Sequence, residues 1–482
     1  MKPLYEALRR YSDEVSAVFH MPGHKMGRGF LPGGVFDNPA AIDVTELDVT
    51  DDLHNPRGPL REAQDIAARV FGAGKTWFLV NGSSCGIQAM IAANCASGRK
   101  LLISRDFHYQ AFNAARLAGA IPVYIPVNEG GVLTPDNAER AIYEHPDAAA
   151  LYLTRPGYYG DVCDITEIVR LAHARGIPVL VDEAHGAHLK FSDRLPICAL
   201  DAGADFCVQS AHKTLPAFTQ CAFAHASGRA VSDNPDGVMR FSEALRIFQT
   251  SSPSFMLTAS LDYAREYMDG PGRAEMRKLI GRCADFYDEM SAVGYGVPDE
   301  IKPDKNGRYG RDVTRLVLGT RKTGLSGVET DRLLWSRYKI KIEMSDPEHI
   351  VMISTVADGD ADFSKLKAAL KKIMKSEGIQ VSDMPSASAG FDMRISVITD
   401  NTGADNTGVD NAGADNTRGF SDWLFTNKNS VTPEEAVGCV SACMLIPYPP
   451  GIPLLCPGET VTRGLINKIY SLLQAGVRIN SV

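Results

Sequence analysis

A carboxylate and an amine follow two short segments that are typical of buried strands. Residues 177–181 are apolar and end at Asp182, and residues 206–209 lead through Ser210 to Lys213. In parallel sheets the carboxyl ends of the strands lie at one edge, where open α/β folds bind their ligands. A carboxylate for a pyridinium nitrogen and an amine for a Schiff base are the protein groups that pyridoxal phosphate (PLP) requires. We therefore predict a PLP site at this edge.

Each of these two residues also has an ordinary interpretation. An aspartate that closes a strand is as often a turn or helix-cap residue as a functional one. A single lysine is normally solvated. Only the joint pattern of Asp182 and Lys213 at two predicted strand ends favours the cofactor site.

The motifs around these residues resemble those of a known enzyme family. Ser-Ala-His-Lys-Thr-Leu-Pro-Ala-Phe-Thr-Gln (210–220) is similar to the PLP-lysine motif of the ornithine/lysine/arginine decarboxylases. Val-Asp-Glu-Ala-His-Gly-Ala-His (181–188) resembles the pyridine-aspartate motif of that family. Residues 19–30, 43–60 and 448–459 resemble its amino-terminal and carboxyl-terminal motifs. The resemblance implies an aspartate-aminotransferase-like fold of the PLP-dependent transferase type.

A turn of small residues, 81–86, joins a predicted strand to a predicted helix. Such a turn leaves backbone N–H groups and the positive end of the helix dipole directed at one point, which suits a phosphate. Turns of this composition also occur for purely geometric reasons. The resemblance places the family's phosphate loop here, and it makes Ser83 and Ser84 the candidate phosphate ligands.

The resemblance implies a role for each candidate residue. Lys213 is expected to bind PLP covalently, and Asp182 to keep a proton on the pyridine nitrogen. His108, which would otherwise be a surface histidine of a loop, corresponds to the family's histidine that stacks on the cofactor ring. These three are the expected catalytic residues. The other expected cofactor contacts are Ser83, Ser84, Ser210 and His212 at the phosphate, and His185 near the ring's 3-oxygen or edge.

The same family decarboxylates lysine, ornithine or arginine to a polyamine precursor. The expected activity is therefore that of a carboxy-lyase acting on a basic amino acid. Within the family the sequence resembles the short form without an amino-terminal wing domain, which is that of the arginine and lysine enzymes of Gram-positive bacteria. Thr154–Gly160 departs from the family's turn at Arg155, which could alter substrate choice or merely face solvent. Glu459 is a candidate for binding the substrate's distal cation.

Two other functions stay open at this point. Another PLP reaction of the same fold, aminotransfer or aldol cleavage, would need an arginine for the substrate carboxylate, and Arg394 could serve. A non-catalytic paralogue would keep the fold as a binding protein, although Lys213 and Asp182 are both present.

Composition excludes several other classes of protein. The 482 residues are 44% hydrophobic and 22% charged with a net charge of −8, which favours a globular protein without a nucleic-acid partner. No apolar run reaches the roughly 18 residues of a membrane span, and the amino terminus lacks a signal-peptide pattern. The ten cysteines form no C-x-x-C pair, so we expect reduced thiols in the cytoplasm. His185 and His188 have no third ligand nearby, and we expect no metal.

The order of predicted elements indicates an α/β fold. Strands at 101–104, 123–127, 151–154, 179–182 and 206–209 alternate with helices, which predicts a mostly parallel sheet with helices on both faces. Shorter strands after residue 298 indicate a smaller α+β domain. The predicted divisions are an amino-terminal helix and arm (1–58), a PLP-binding major domain (59–297) and a carboxyl-terminal domain (298–482) with a low-complexity insertion at 400–419.

The resemblance also implies a homodimer or a higher homo-oligomer with active sites at the dimer interface. In the family the arm formed by residues 19–60 packs near that interface. Residues 249–254 resemble a family loop that reaches the cofactor phosphate of a neighbouring subunit.

Overall fold

The computed structural model describes residues 2–375, 393, 395–398, 428–447, 451–474 and 477–481. The predicted insertion at 400–419 and the candidate Arg394 lie outside the described residues. Among the helices of the described ranges, none is long and apolar enough to cross a membrane.

A seven-stranded sheet forms the centre of the molecule. The strands up to residue 226 are β1 (Ala17–Phe19), β2 (Lys75–Leu79), β3 (Lys100–Ser104), β4 (Ile121–Ile125), β5 (Ala150–Thr154), β6 (Val179–Asp182), β7 (Phe206–Gln209) and β8 (Ala222–Ala226). The order in the sheet is β2-β8-β7-β6-β5-β3-β4. Only β8 runs antiparallel to its neighbours, so the predicted mostly parallel sheet is confirmed. Sequence analysis missed β8, because alanine is depleted in strands.

Helices cover both faces of this sheet. The helices are α1 (Pro3–Glu14), α2 (Pro59–Phe71), α3 (Gly82–Asn94), α4 (Tyr109–Leu117), α5 (Pro135–Glu144), α6 (Ile165–His173), α7 (Ala211–Thr214), α8 (Gly228–Asp233), α9 (Pro235–Phe248), α10 (Phe255–Asp269), α11 (Gly272–Val293), α12 (Gly327–Tyr338), α13 (Asp360–Lys375), α14 (Pro433–Ala436) and α15 (Arg463–Gln474). Val179 and Val181 of β6 join one core, and Leu180 joins the other, beside residues of α3. Because successive strand residues face opposite sides, Asp182 faces the side that carries α3.

The rest of the chain adds small sheets beside the central one. Their strands are β9 (Arg315–Gly319), β10 (Ile340–Ile342), β11 (Met344–Ser345), β12 (His349–Ile353), β13 (Ile395–Ile398), β14 (Lys428–Val431), β15 (Leu445–Pro447) and β16 (Ile479–Ser481). β9, β11 and β12 form an antiparallel sheet, and β10 pairs in parallel with β1.

The hydrophobic cores relate these parts to one another. Residues between 313 and 373 contribute to the same core as one face of the central sheet. Among the described residues between 395 and 473, most of the buried apolar side chains form a separate cluster, and Met444, Ile446 and Cys456 join the core on the other face of the central sheet. The predicted α/β fold with a smaller additional α+β region is therefore confirmed. The domain boundary at residue 298 stays a prediction.

Candidate active site

Asp182 ends β6 with a buried carboxylate that two donors hold in place. Its Oδ2 accepts a hydrogen bond from the Tyr152 hydroxyl (3.1 Å), and its Oδ1 accepts one from the Ala184 N–H (3.0 Å). Burial raises the pKa of Asp182, while the positive charge of Lys213 acts against that shift. Tyr152 lies on the neighbouring strand β5, so the sheet itself orients the carboxylate.

Lys213 lies in α7, directly after the adjacent strand β7, and its amine meets His185. Lys213 Nζ and His185 Nε2 are 3.1 Å apart. Burial lowers the pKa of Lys213, against the opposing influence of Asp182 and Glu343. The edge of the sheet therefore collects Asp182, Lys213 and His185 as predicted, with an amine that is easier to deprotonate than a solvated lysine.

The other ring nitrogen of His185 contacts a residue from β9. Arg315 Nη2 lies 2.7 Å from His185 Nδ1, and the Tyr158 ring packs edge-on against the imidazole at 4.8 Å between centroids. Burial and the charges of Lys213 and Arg315 lower the pKa of His185 well below its ordinary value. His185 is therefore neutral near neutral pH.

The beginning of α3 is the candidate phosphate position. Gly82 has φ +75°, a conformation that favours glycine, and donates its N–H to Gln220 O (2.9 Å). The next residue, Ser83, accepts a hydrogen bond from the Ser210 hydroxyl (2.9 Å). Ser83 and Ser84 lie in the first turn of α3, where unpaired N–H groups attract anions, and Ser210, which precedes α7, is hydrogen-bonded to that turn.

The protonation state of His212 decides whether its side chain can donate a hydrogen bond to a phosphate. Its Nδ1 lies 3.0 Å from Cys221 O, and because a carbonyl only accepts, Nδ1 carries the proton. Burial lowers the pKa of His212 to about 4. The neutral ring thus has a lone pair at Nε2, and it would donate to a phosphate only after taking up a proton.

His108 precedes α4 and belongs to the same site. Its Nδ1 accepts a hydrogen bond from the Gln110 N–H (3.3 Å), which caps the helix. Burial, followed by the charge of Lys213, lowers its pKa to about 3. A side chain at Gly451 would lie 2.8 Å from His108 Nε2, so only glycine lets the carboxyl-terminal motif pack this closely. The result is a neutral, fixed ring beside the amine.

The donor set of this site fits PLP. A buried carboxylate, an amine of lowered pKa, a neutral imidazole and a helix amino terminus with two hydroxyls lie around one sheet edge. When bound, PLP supplies an electron sink for a carbanion at the substrate's α-carbon. Lys213 would supply the amine that binds it, and Asp182 would be the carboxylate for its pyridine nitrogen.

Arg155 does not join this site. The side chain is 2% exposed, and it donates to Ile197 O (2.5 Å) and Cys163 O (3.3 Å). Glu183 lies 3.9 Å from it on the face of the sheet opposite Asp182. The interpretation that Arg155 faces solvent is therefore wrong, because its donors satisfy buried acceptors. Those same contacts leave its guanidinium committed away from the substrate.

Glu459 is also committed to another partner. Its carboxylate accepts two hydrogen bonds from Arg105, from Nε (2.9 Å) and from Nη2 (3.0 Å), and a third from the Cys456 N–H (2.7 Å). This bidentate pair attaches the carboxyl-terminal motif to the loop before His108. The structure therefore gives Glu459 a positioning contact in place of the predicted substrate contact.

The amino-terminal motif, residues 19–30, packs against the end of α7 and the residue that follows it. A side chain at Gly23 would lie 2.5 Å from Leu215 O, so glycine allows this approach. Lys25 is fully buried, donates to Ile353 O (2.7 Å) and lies 3.5 Å from Asp358. Breaking such a buried ion pair lowers the stability of the fold, so these contacts give Lys25 a structural role in the motif.

Four site residues were missed by sequence analysis: Tyr152, Tyr158, Arg315 and Glu343. Tyr152 lies inside an apolar strand, where a tyrosine is an ordinary core residue. The Tyr158 hydroxyl donates to Glu343 Oε1 (2.5 Å), and this links the turn after β5 to the segment between β10 and β11. Only the alternation of β5, which puts Tyr152 on the side of Asp182, was a signal in the sequence.

Two family models and several curated proteins match this chain. The family model of the Orn/Lys/Arg decarboxylase major domain matches residues 2–304, and that of the Orn/Lys/Arg decarboxylase C-terminal domain matches residues 415–478. The chain is 34% identical to an arginine decarboxylase of Bacillus subtilis (strain 168) over 99% of this chain and 94% of that protein. A lysine decarboxylase LdcA of Pseudomonas aeruginosa is 23% identical, over 96% of this chain and 74% of its own length.

Solved structures show the same fold. The constitutive lysine decarboxylase of E. coli superposes with a TM-score of 0.70 at 19% identity, covering 100% of this chain and 80% of that one. An alanine–glyoxylate aminotransferase from Nostoc sp. superposes with a TM-score of 0.58 at 15% identity, covering 75% of this chain and 96% of that one. The chain belongs to the Orn/Lys/Arg decarboxylase family, and it is a PLP-dependent decarboxylase.

Proposed function

We propose that this protein decarboxylates a basic amino acid, arginine before lysine or ornithine, and that the amine product feeds polyamine synthesis. The observation that carries the reaction is the contact of Lys213 with His185 beside the carboxylate of Asp182. Support for arginine comes from similar proteins of Bacillus subtilis and Bacillus cereus, which are 34% and 30% identical and are named arginine decarboxylases.

We further propose Glu343 as the carboxylate for the substrate's distal cation. Glu459 is paired with a cation, Arg105, whereas Glu343 accepts hydrogen bonds from two neutral donors, the Tyr158 hydroxyl and the Met21 N–H (3.0 Å). Glu343 lies one contact beyond Tyr158, whose ring packs on His185. It also lines an open cavity of about 480 Å³ with the aromatic rings of Tyr11 and Trp335 and with Lys341, whose ammonium group pairs with Asp331 (3.2 Å). Aromatic faces and a carboxylate suit a guanidinium or an ammonium group.

Assays with arginine, lysine and ornithine side by side test this function, with carbon dioxide and the amine measured as products. Arginine should give the largest kcat/KM. Glu343→Gln should lower kcat/KM for the best substrate by about tenfold to a hundredfold, the range for a lost charge-assisted hydrogen bond of 1.5–3 kcal/mol. Glu167→Gln, at a partly exposed carboxylate that pairs with Arg170 on α6, is the control and should leave KM unchanged. A keto acid in place of the amine would instead identify an aminotransferase.

We also infer that two copies associate through the arm. Residues 26–49 expose large apolar side chains, among them Leu31 (60% exposed), Val35 (57%) and Val49 (80%). His54 Nε2 lies 2.8 Å from Thr250 O, so the arm contacts the loop that resembles the family's intersubunit loop. Exposed apolar side chains that are contiguous along one segment favour an interface.

Sedimentation equilibrium tests this association. Wild-type protein should have at least twice the monomer mass, and Leu31→Glu combined with Val49→Glu should lower it to that of one chain, because charges would be buried at the interface. Tyr143→Glu, at another exposed apolar side chain, is the control and should keep the wild-type mass. A wild-type monomer would refute the inference.

We place the enzyme in the cytoplasm, since its ten cysteines are free thiols.

A further inference from the structure

Arg315 is a buried cation without an acidic partner. Its side chain is 1% exposed, and its guanidinium lies over the Tyr158 ring at 5.8 Å. The charge of Arg315 helps to lower the pKa of nearby Asp312, but the two side chains form no direct ion pair in the described part of the chain. Nη2 contacts His185 Nδ1, whereas Nε and Nη1 have no hydrogen-bond partner in the described part of the chain. A buried charge that is not paired destabilises the fold. Its retention beside the site therefore calls for a functional explanation.

The contact between Arg315 and His185 determines where the imidazole carries its proton. A guanidinium has only donors, so His185 Nδ1 must be the acceptor. His185 is neutral, because burial and two nearby cations lower its pKa. The single ring proton is therefore on Nε2.

That proton is directed at Lys213. His185 Nε2 lies 3.1 Å from Lys213 Nζ, so the Nε2–H donates and the amine must accept with its lone pair. An ammonium group has no lone pair and cannot accept. The arrangement is thus compatible with a neutral Lys213 and opposes a protonated one.

A second pair of contacts keeps Arg315 at this position. Asp312 lies three residues before it, and its Oδ1 is 3.1 Å from His188 Nε2 and accepts from the Thr314 hydroxyl (2.6 Å). His185 and His188 are three residues apart as well. The turn that contains Asp312 and Arg315 therefore binds the loop after β6 at two points, which fixes the guanidinium opposite Nδ1.

We propose that Arg315 is a positioning residue: it fixes the tautomer of His185 whose Nε2–H donates to Lys213, and it thereby keeps the amine neutral and nucleophilic. This inference rests on the proposed function, in which Lys213 is the amine that binds the cofactor. A merely structural cation would hold the turn in place without affecting the histidine tautomer.

The first test is nitrogen NMR of the full chain freed of cofactor, with ¹⁵N-labelled histidine and His185→Gln to assign the signals. The wild type should show His185 unprotonated at Nδ1 and protonated at Nε2. Arg315→Met should lose that state, and Arg315→Lys, which keeps a cationic donor, should restore it. Arg311→Met is the matched control, because Arg311 is buried in the same turn but pairs with Asp161. An unchanged His185 signal in Arg315→Met would overturn the proposal.

The second test is the pH dependence with which Lys213 of the same cofactor-free chain reacts with pyridoxal and borohydride, measured as labelled peptide. In Arg315→Met the midpoint should rise by at least about one pH unit, which lowers the rate near neutral pH about tenfold. Arg311→Met should keep the wild-type midpoint. In the His185→Gln background the Arg315→Met change should shift the midpoint much less, because only the direct repulsion between the two cations is then lost, and an undiminished shift there would overturn the proposal. Because neither readout needs bound PLP or turnover, failure of the proposed function would leave both results interpretable.

Discussion

Lys213→Ala should abolish both the yellow colour of the purified enzyme and its decarboxylase activity. Lys213 is the lysine whose amine lies beside the Asp182 carboxylate at the ends of adjacent strands, and alanine removes the only atom that can bond the cofactor there. Activity should fall by several orders of magnitude, each factor of ten being about 1.4 kcal/mol of transition-state stabilisation. Absorbance spectra and carbon dioxide release measure the two effects.

Lys190→Ala provides the control for this substitution. Lys190 pairs with Asp201 through Nζ (2.6 Å), away from the site, and its loss should leave colour and turnover unchanged. After borohydride reduction of the wild type, the mass of the cofactor should appear on the peptide that contains Lys213. Colour and turnover that persist in Lys213→Ala would mean that another lysine binds PLP.

Asp182→Asn should keep the cofactor and lose most of the turnover. The amide oxygen can still accept from the Ala184 N–H, and the Tyr152 hydroxyl can turn to accept from the new NH₂ group, so the fold accommodates the change. Binding through Lys213 and the α3 amino terminus does not depend on this carboxylate. Without a negative charge at the pyridine nitrogen, kcat should fall by about a hundredfold or more.

Glu183→Gln is the matched substitution for that experiment. Glu183 follows Asp182 but faces the opposite side of the sheet, where it accepts from the Ala199 N–H (2.8 Å) and Gln209 Nε2 (2.6 Å). Burial raises its pKa to about 7. The amide keeps one acceptor oxygen and turns an NH₂ group toward one of these two donors, so turnover is compared per mole of folded protein. Turnover near that of the wild type is expected for Glu183→Gln. Comparable kcat values for Asp182→Asn and the wild type would mean that Asp182 only accepts a hydrogen bond in the turn after β6 and has no role in turnover.

The sequence by itself determined the sheet, its carboxyl edge and the approach of Asp182 to Lys213 at that edge. Short continuous apolar runs, which are typical of strands buried on both faces, identified β5, β6 and β7. Parallel strands bring their carboxyl ends to the same edge of a sheet, however the side chains pack. Asp182 and Lys213 therefore had to approach each other. The turn at Ser83 and Ser84 was visible for the same reason, since a helix that follows a strand begins at that edge.

Tertiary structure alone decided which polar groups are available for chemistry. Arg155 and Glu459 each had a residue type suited to the substrate, but partners from other segments, Ile197 O and Arg105, occupy them. Arg315 of β9 and Glu343 of the segment between β10 and β11 come to the site from far along the chain, and no local periodicity carries that information. Hydrogen bonds between distant segments depend on the final packing of side chains, whereas strand alternation is a local property of the backbone.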